Sequence, residues 1–210
     1  MWASISKPWQ AAFEQAWEAK INGSLPIGAV ITDENGVIIS YGQNRTGDRN
    51  FSNSKIAHAE TDALQKLDIT KYPNIHSYTL YTTAEPCPMC FGTLAMSGLR
   101  ELRVAARDKY AGATHFNSDP YIAIKNIQIS FDLELLEMIT HVLGAYFSLR
   151  IRDGEINVNS VMKKILSVNP EALTIAKSLY AEKRLDWHIA NSTPFGRIFD
   201  EIAAITGEDS

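Results

Sequence analysis

His76-Ser77-Tyr78-Thr79-Leu80-Tyr81-Thr82-Thr83 runs directly into Ala84-Glu85-Pro86-Cys87-Pro88-Met89-Cys90, and the reading of that join decides the fold. The first eight residues are largely aromatic and β-branched, the composition of a strand. Pro88 suits the first position of a helix, where a missing N–H has no intrahelical partner to lose. The join therefore predicts a strand that hands two cysteines to a helix N-terminus. Cys87 and Cys90 are three apart, so both sulfurs fall on one face of the first turn. The helix dipole and the unpaired N–H groups lower the thiol pKa there and favour the thiolate, the form that binds metal.

Working outward, an imidazole is needed to complete a set of ligands. Of the five histidines, only His58 has a carboxylate two residues further on, Glu60. His76 sits at the far end of the incoming strand, and His115, His141 and His188 read most cheaply as surface or packed histidines. One imidazole and two thiolates are what a catalytic zinc takes while keeping its fourth position for water. In mid-helix His58 and Glu60 would point to nearly opposite sides, so they can share a site only at a helix start. The sequence allows this, because residues 44–54 have loop composition and residues 56–67 have helical apolar spacing without a capping box. Glu60 is then the candidate general acid and base, since a carboxylate beside a zinc-activated water can take its proton and pass it on.

Two plainer readings compete. A Cys-x-x-Cys between strand and helix is also the redox arrangement of thioredoxin-like proteins. A purely structural zinc would normally want a fourth protein ligand, and the chain has no third cysteine. His58-Ala59-Glu60 at this distance favours the open metal site, with Zn2+ as cofactor.

His58-Ala59-Glu60 with Pro86-Cys87-Pro88-Met89-Cys90 resembles the signature of the cytidine and deoxycytidylate deaminase superfamily, whose zinc deaminases carry H-x-E and P-C-x-x-C. The wording is similar to the branch of guanine deaminases and tRNA adenosine deaminases. The resemblance spans about residues 8–152 and includes Pro26-Ile27-Gly28-Ala29-Val30, Asn44 and Ala106-Arg107-Asp108. It implies His58, Cys87 and Cys90 as zinc ligands and Glu60 as the catalytic residue. It also implies substrate contacts from Asn44, from the backbone N–H of Ala59 and, through a looser match at residues 116–121, from Asp119. Asp119 before Pro120 equally reads as a helix cap, the reading preferred here. Relatives of this kind are commonly homodimers.

The rest of the chain fits such a domain. Residues 9–21 read as an amphipathic helix with Gly23 as a stop. Residues 27–32 and 37–41 read as strands joined by Asp33-Glu34-Asn35-Gly36, a hairpin at one edge of the sheet. Residues 101–106 and 127–130 read as strands joined by a crossover, which favours parallel pairing. Asp132 is a candidate cap for a long helix reaching Arg150, with apolar residues from Leu133 to Phe147 on one face. Beyond residue 153 three short helices are expected: residues 161–166, 170–181 after an Asn169 cap, and 195–205 after Pro194. Trp187 and Phe195 are expected as packing anchors of a docked tail. The fold expected is three-layer α/β/α with a mixed five-stranded sheet, a deaminase domain over 1–152 and a helical C-terminal extension over 153–210.

Composition bounds the partners. Net charge is −4, with 14 basic and 15 acidic side chains up to residue 152 and 6 and 9 after it. Neither part has the positive balance that binding a phosphate backbone usually requires, so nucleic acid is the less favoured partner. Residues 1–7 are too short and polar for a signal peptide, and no apolar run reaches spanning length, so a cytoplasmic protein without a membrane partner is expected. The expected reaction is hydrolytic deamination of a nucleobase or nucleoside, with a guanine-type purine preferred over tRNA wobble adenosine. A silent binding subunit is disfavoured by the presence of Glu60.

Overall fold

In a computed structural model, residues 1–132, 134–151 and 167–207 are described. Strand β1 (Gly28–Thr32) and β2 (Ile38–Gln43) form the expected antiparallel hairpin, Val30 opposite Tyr41. The turn is fixed by Gly36 at φ +78°, a conformation only glycine takes without strain, and by the Asp33 carboxylate, which accepts the N–H groups of Asn35 and Val37 at 2.9 Å each. Strand β3 (Thr79–Thr82) pairs antiparallel with β1, and β4 (Glu101–Val104) and β5 (Gln128–Phe131) follow in parallel. The order is β2-β1-β3-β4-β5, a mixed five-stranded sheet with the hairpin at one edge.

Alternation along the strands sorts side chains into two cores. Ala29, Ile31, Leu80, Leu102 and Val104 face α2 (Ala59–Lys66) and α3 (Pro88–Ser97). Val30 and Tyr81 face α1 (Lys7–Ile21) and α5 (Leu135–Ile151), where Phe13, Ile139 and Tyr146 are fully buried. Between β4 and β5 lies the one-turn helix α4 (Pro120–Ala123). The C-terminal helices α6 (Pro170–Ala181), α7 (Arg184–Ala190) and α8 (Phe195–Ile205) join that second core, so the extension is docked on the α1/α5 face. Gly42 lets α2 approach the hairpin, because a Cβ there would lie 2.1 Å from the carbonyl oxygen of Ala59.

Several local expectations are corrected. Ile75–Ser77 is a turn of 3-10 helix, with His76 Nδ1 2.6 Å from the carbonyl of Gly98, so the strand begins only at Thr79. Asp132 is not at the cap position of α5, which begins only at Leu135, and its carboxylate accepts from Arg103 Nε at 2.8 Å. Trp187 is half exposed and is no packing anchor, whereas Phe195 is buried and stacks on Phe13 with centroids 6.1 Å apart. Helix α7 was not expected: its N-cap is Lys183 at φ +52°, which gives no sequence signal. The expected helix over residues 161–166, the position of Leu133 and the boundary between residues 152 and 153 lie outside the described residues.

Candidate metal centre

The two local predictions that build the site meet in space. His58 is the N-cap of α2, with extended backbone at ψ 157°, and Cys87 is the N-cap of α3, with Pro88 at the first helical position. Both helices thus point their N-terminal ends, carrying unpaired N–H groups and positive partial charge, at the same point. Helix α2 starts at Ala59, three residues later than periodicity alone suggests, which lets His58 and Glu60 turn toward one site.

The three donor atoms are mutual neighbours. His58 Nδ1 lies 3.6 Å from Cys87 Sγ and 3.4 Å from Cys90 Sγ, and the two sulfurs are 3.6 Å apart. A tetrahedral zinc with ordinary bond lengths would set its ligands about 3.8 Å apart for two sulfurs and about 3.6 Å for sulfur and nitrogen. The match is within a few tenths of an ångström, and neither cysteine is in a disulfide. Among the described residues His58, Cys87 and Cys90 are the group of His, Cys, Asp or Glu side chains arranged to hold a metal. Glu60 is buried beside them, with Oε2 3.4 Å from Cys90 Sγ, where the thiol donates to it.

Electrostatics carry the same message. The Cys87 thiol is pulled down to about 4, chiefly by its contact with Cys90 and assisted by His58. Cys90 is pushed up by the same contact and by burial. Two adjacent thiols cannot both ionise without a cation, and a divalent ion removes that conflict by binding both as thiolates. Contact with Cys87 raises His58, and burial raises Glu60.

The surroundings are built around Glu85, a residue the sequence reading passed over. Its carboxylate accepts the N–H of Asp108 at 3.0 Å and both the N–H and the hydroxyl of Thr114. Pro86 O accepts the N–H of Ala113 at 2.9 Å, so the loop after β4 is fastened to the segment that carries Cys87. A Cβ on Gly112 would lie 2.4 Å from Glu85 Cδ. An acid immediately before Pro-Cys was the available signal, but its partners lie more than 20 residues away.

The remaining candidates are placed as follows. Asn44 is buried at the end of β2, its Oδ1 accepting from the N–H of Thr46 at 3.0 Å and its hydroxyl at 2.7 Å. It lines a polar cleft of about 410 Å³ together with Ser24, Gln43, Arg45, Asp48 and Arg49. Ala59 is fully buried as the first residue of α2. Asp119 is exposed and caps α4, accepting the N–H of Tyr121 at 3.0 Å; it is not part of the His58, Cys87 and Cys90 group.

Residues 4–106 match the model of the cytidine and deoxycytidylate deaminase zinc-binding region. The tRNA-specific adenosine deaminase of Rickettsia bellii is 38% identical over 108 residues, 50% of this chain and 72% of that protein. The chain belongs to the cytidine and deoxycytidylate deaminase family. The tRNA-specific adenosine deaminase of Haemophilus influenzae is 32% identical over 151 residues, 69% of this deaminase and 84% of its relative. A solved structure from a study of tRNA:A34 deaminases superposes with a TM-score of 0.53 at 26% identity, covering 65% of this deaminase and 97% of that chain. Membership makes the protein a zinc-dependent hydrolytic deaminase of the nucleobase and nucleoside class and removes the redox reading of Cys87 and Cys90. Among the described residues of the deaminase no helix is long and apolar enough to cross a membrane.

Proposed function

We propose that this deaminase removes the exocyclic amine of a small purine base or nucleoside, of the guanine type, with His58, Cys87 and Cys90 holding zinc and Glu60 moving the protons. Zinc bound there supplies Lewis-acid activation of water near neutral pH. Glu60 Oε2 takes a proton, delivers it to the ring nitrogen beside the amine-bearing carbon, and later returns one to the departing amine. Burial raises the pKa of this carboxyl, and a neighbouring divalent cation would oppose that and favour the ionised form that can accept a proton. Asn44 Oδ1 is occupied by Thr46, so its amide N–H is the group left to donate to an acceptor on the ring. The N–H of Ala59, in the first turn of α2, has no intrahelical partner and is the second candidate donor. Asp119 would have to contact substrate in addition to capping α4.

The observation that carries the reading is the placement of Glu60 Oε2 3.4 Å from a ligand sulfur without membership of the ligand set. The small-molecule preference rests on the net charge of −4, which lacks the positive balance that binding a phosphate backbone usually requires. A second reading, deamination of adenosine in tRNA, is favoured by the names of the relatives quoted above. A homodimer would cover the exposed apolar side chains of Met96 on α3, Tyr121 on α4 and Ile124 just after it, and a monomer mass in solution would remove that part. Ammonia release from guanine, guanosine, adenosine, cytosine, cytidine and tRNA separates the readings. Turnover of guanine or guanosine is expected; turnover confined to tRNA selects the second reading.

A further inference from the structure

His141 lies in the middle of α5, buried, and bridges two parts of the molecule that are otherwise remote in sequence. Its Nε2 is 3.3 Å from the carbonyl oxygen of Arg107, and its Nδ1 is 3.4 Å from Asn169 Nδ2. Asn169 caps α6, its Oδ1 accepting the N–H of Ala172 at 3.1 Å. With the amide oxygen so engaged, the group facing the ring is NH2, which can only donate. Nδ1 must therefore accept, and the single proton of a neutral imidazole sits on Nε2 and is donated to Arg107. Protonation would set donor against donor at Asn169.

The segment on the other side of this bridge is held from two further directions. Arg107 N–H donates to Glu137 at 3.0 Å, Asp108 N–H donates to Glu85 at 3.0 Å, and Glu85 N–H donates to Ala106 at 2.8 Å. Glu85 is two residues from Cys87.

We propose that His141 is a positioning residue through which the cap of the C-terminal helix α6 holds the 106–108 segment against the metal-bearing loop. This rests on the reading that the segment borders the substrate pocket. The extension then acts on the reaction without touching substrate. The charged groups facing the ring are Glu137 on the same helix and Arg107, Asp108 and Lys109 on the loop, around a small cleft that Asn169 also lines. Burial holds the imidazole below the usual histidine range, against the opposing pull of Glu137 and Asp108, which keeps the bridging tautomer populated at neutral pH.

The test uses the zinc-loaded full chain and two variants. Asn169→Asp keeps an oxygen to cap α6 but replaces the donor by an acceptor, so the bridge survives only if His141 takes a second proton. Nitrogen-15 shifts of the ring are expected to report the neutral Nε2–H form in the wild type at pH 7 and the imidazolium in Asn169→Asp. The acid limb of kcat/KM that belongs to His141 is correspondingly lost in the variant. His141→Leu should speed hydrogen exchange at the Arg107 and Asp108 amides about tenfold and lower kcat/KM by a similar factor, with zinc stoichiometry and exchange at Thr82 unchanged. An Nδ1–H or charged ring in the wild type overturns the proposal, as does unchanged exchange at 107 and 108 in His141→Leu. Faster exchange with unaltered kcat/KM overturns the positioning role, since the segment would then not border the substrate. Loss of activity in Glu60→Ala together with wild-type kcat/KM in His141→Leu overturns the positioning role while leaving the catalytic reading in place.

Discussion

Two of the titratable clusters among the described residues, one at Glu201 and one at Glu60, separate a structural network from a site. On the C-terminal side Glu201 accepts from Arg184 at 2.6 and 3.1 Å and lies 2.9 Å from His188 Nε2. The carboxylate has the Arg184 guanidinium at hand, and that pair is neutral by itself. On the other side of the sheet His58, Cys87 and Cys90 turn lone pairs toward one another, the two sulfurs 3.6 Å apart and Cys90 Sγ 3.4 Å from Glu60 Oε2. Such a set is matched by a divalent cation. Each cluster has a buried member, His188 in the first and Glu60 and Cys90 in the second, so a buried titratable group does not by itself mark a site; an unmatched set of donor atoms does.

The comparison breaks most directly at Glu60. If the second cluster is chemical and the first only structural, Glu60→Ala retains zinc by metal analysis while ammonia release falls by about 10²–10⁴. Turnover near the wild-type rate would remove Glu60 from the reaction. Next in size is an effect on the C-terminal side, where Phe195 stacks on Phe13 and meets Trp17 and Phe199. Phe195→Ala should cost about 3–5 kcal/mol in denaturant unfolding, the cost of emptying a buried aromatic site. A loss below about 1 kcal/mol would mean that the extension is not integral to the α1/α5 core.

A smaller effect is expected from Glu201→Gln, and pH gives its signature. Arg184 chiefly, and His188 as well, hold the Glu201 carboxyl below the usual range. A carboxyl depressed on folding adds stability that is fully present above its unfolded value and is lost as pH falls through its folded one. The wild type should therefore exceed Glu201→Gln in melting temperature at neutral pH, and the gap should close on acidification. A gap independent of pH would show that the ion pairs contribute nothing. The smallest effect belongs to Asp119. Asp119→Ala should lose about 0.5–1 kcal/mol from the cap of α4, while Asp119→Asn, an equally good cap, should change neither stability nor kcat/KM. A fall in kcat/KM for the asparagine variant alone would give Asp119 a substrate role.

Much of this arrangement was legible from local chemistry. The hairpin followed from Asn35-Gly36, because few other sequences tolerate the left-handed backbone of the turn. The delivery of Cys87 and Cys90 to a helix N-terminus followed from Pro88, and the pairing of His58 with Glu60 from the requirement that they sit at a helix start. What misled was composition read without partners. His76 and Ser77 have neighbours that favour a strand, yet Gly98 draws His76 into a turn. Asp132 looks like a cap, yet α5 begins only at Leu135 and the Asp132 carboxylate meets Arg103. Trp187 looks like an anchor on hydrophobicity alone.

By itself, then, the sequence determined the zinc-binding class and the local pieces of the candidate site, Cys87 with Cys90 on one helical turn and His58 with Glu60 at a helix start, and the cap at Asp119, because each depends on residue type and on spacing within one or two turns. Only the tertiary structure decided that the His58 and Cys87 pieces meet, that Glu85 clamps the loop after β4, and that Asn169 reaches the 106–108 segment through His141. Those are contacts between residues 23 to 62 positions apart, and a polar side chain carries no local trace of the backbone group it will meet once the layers close.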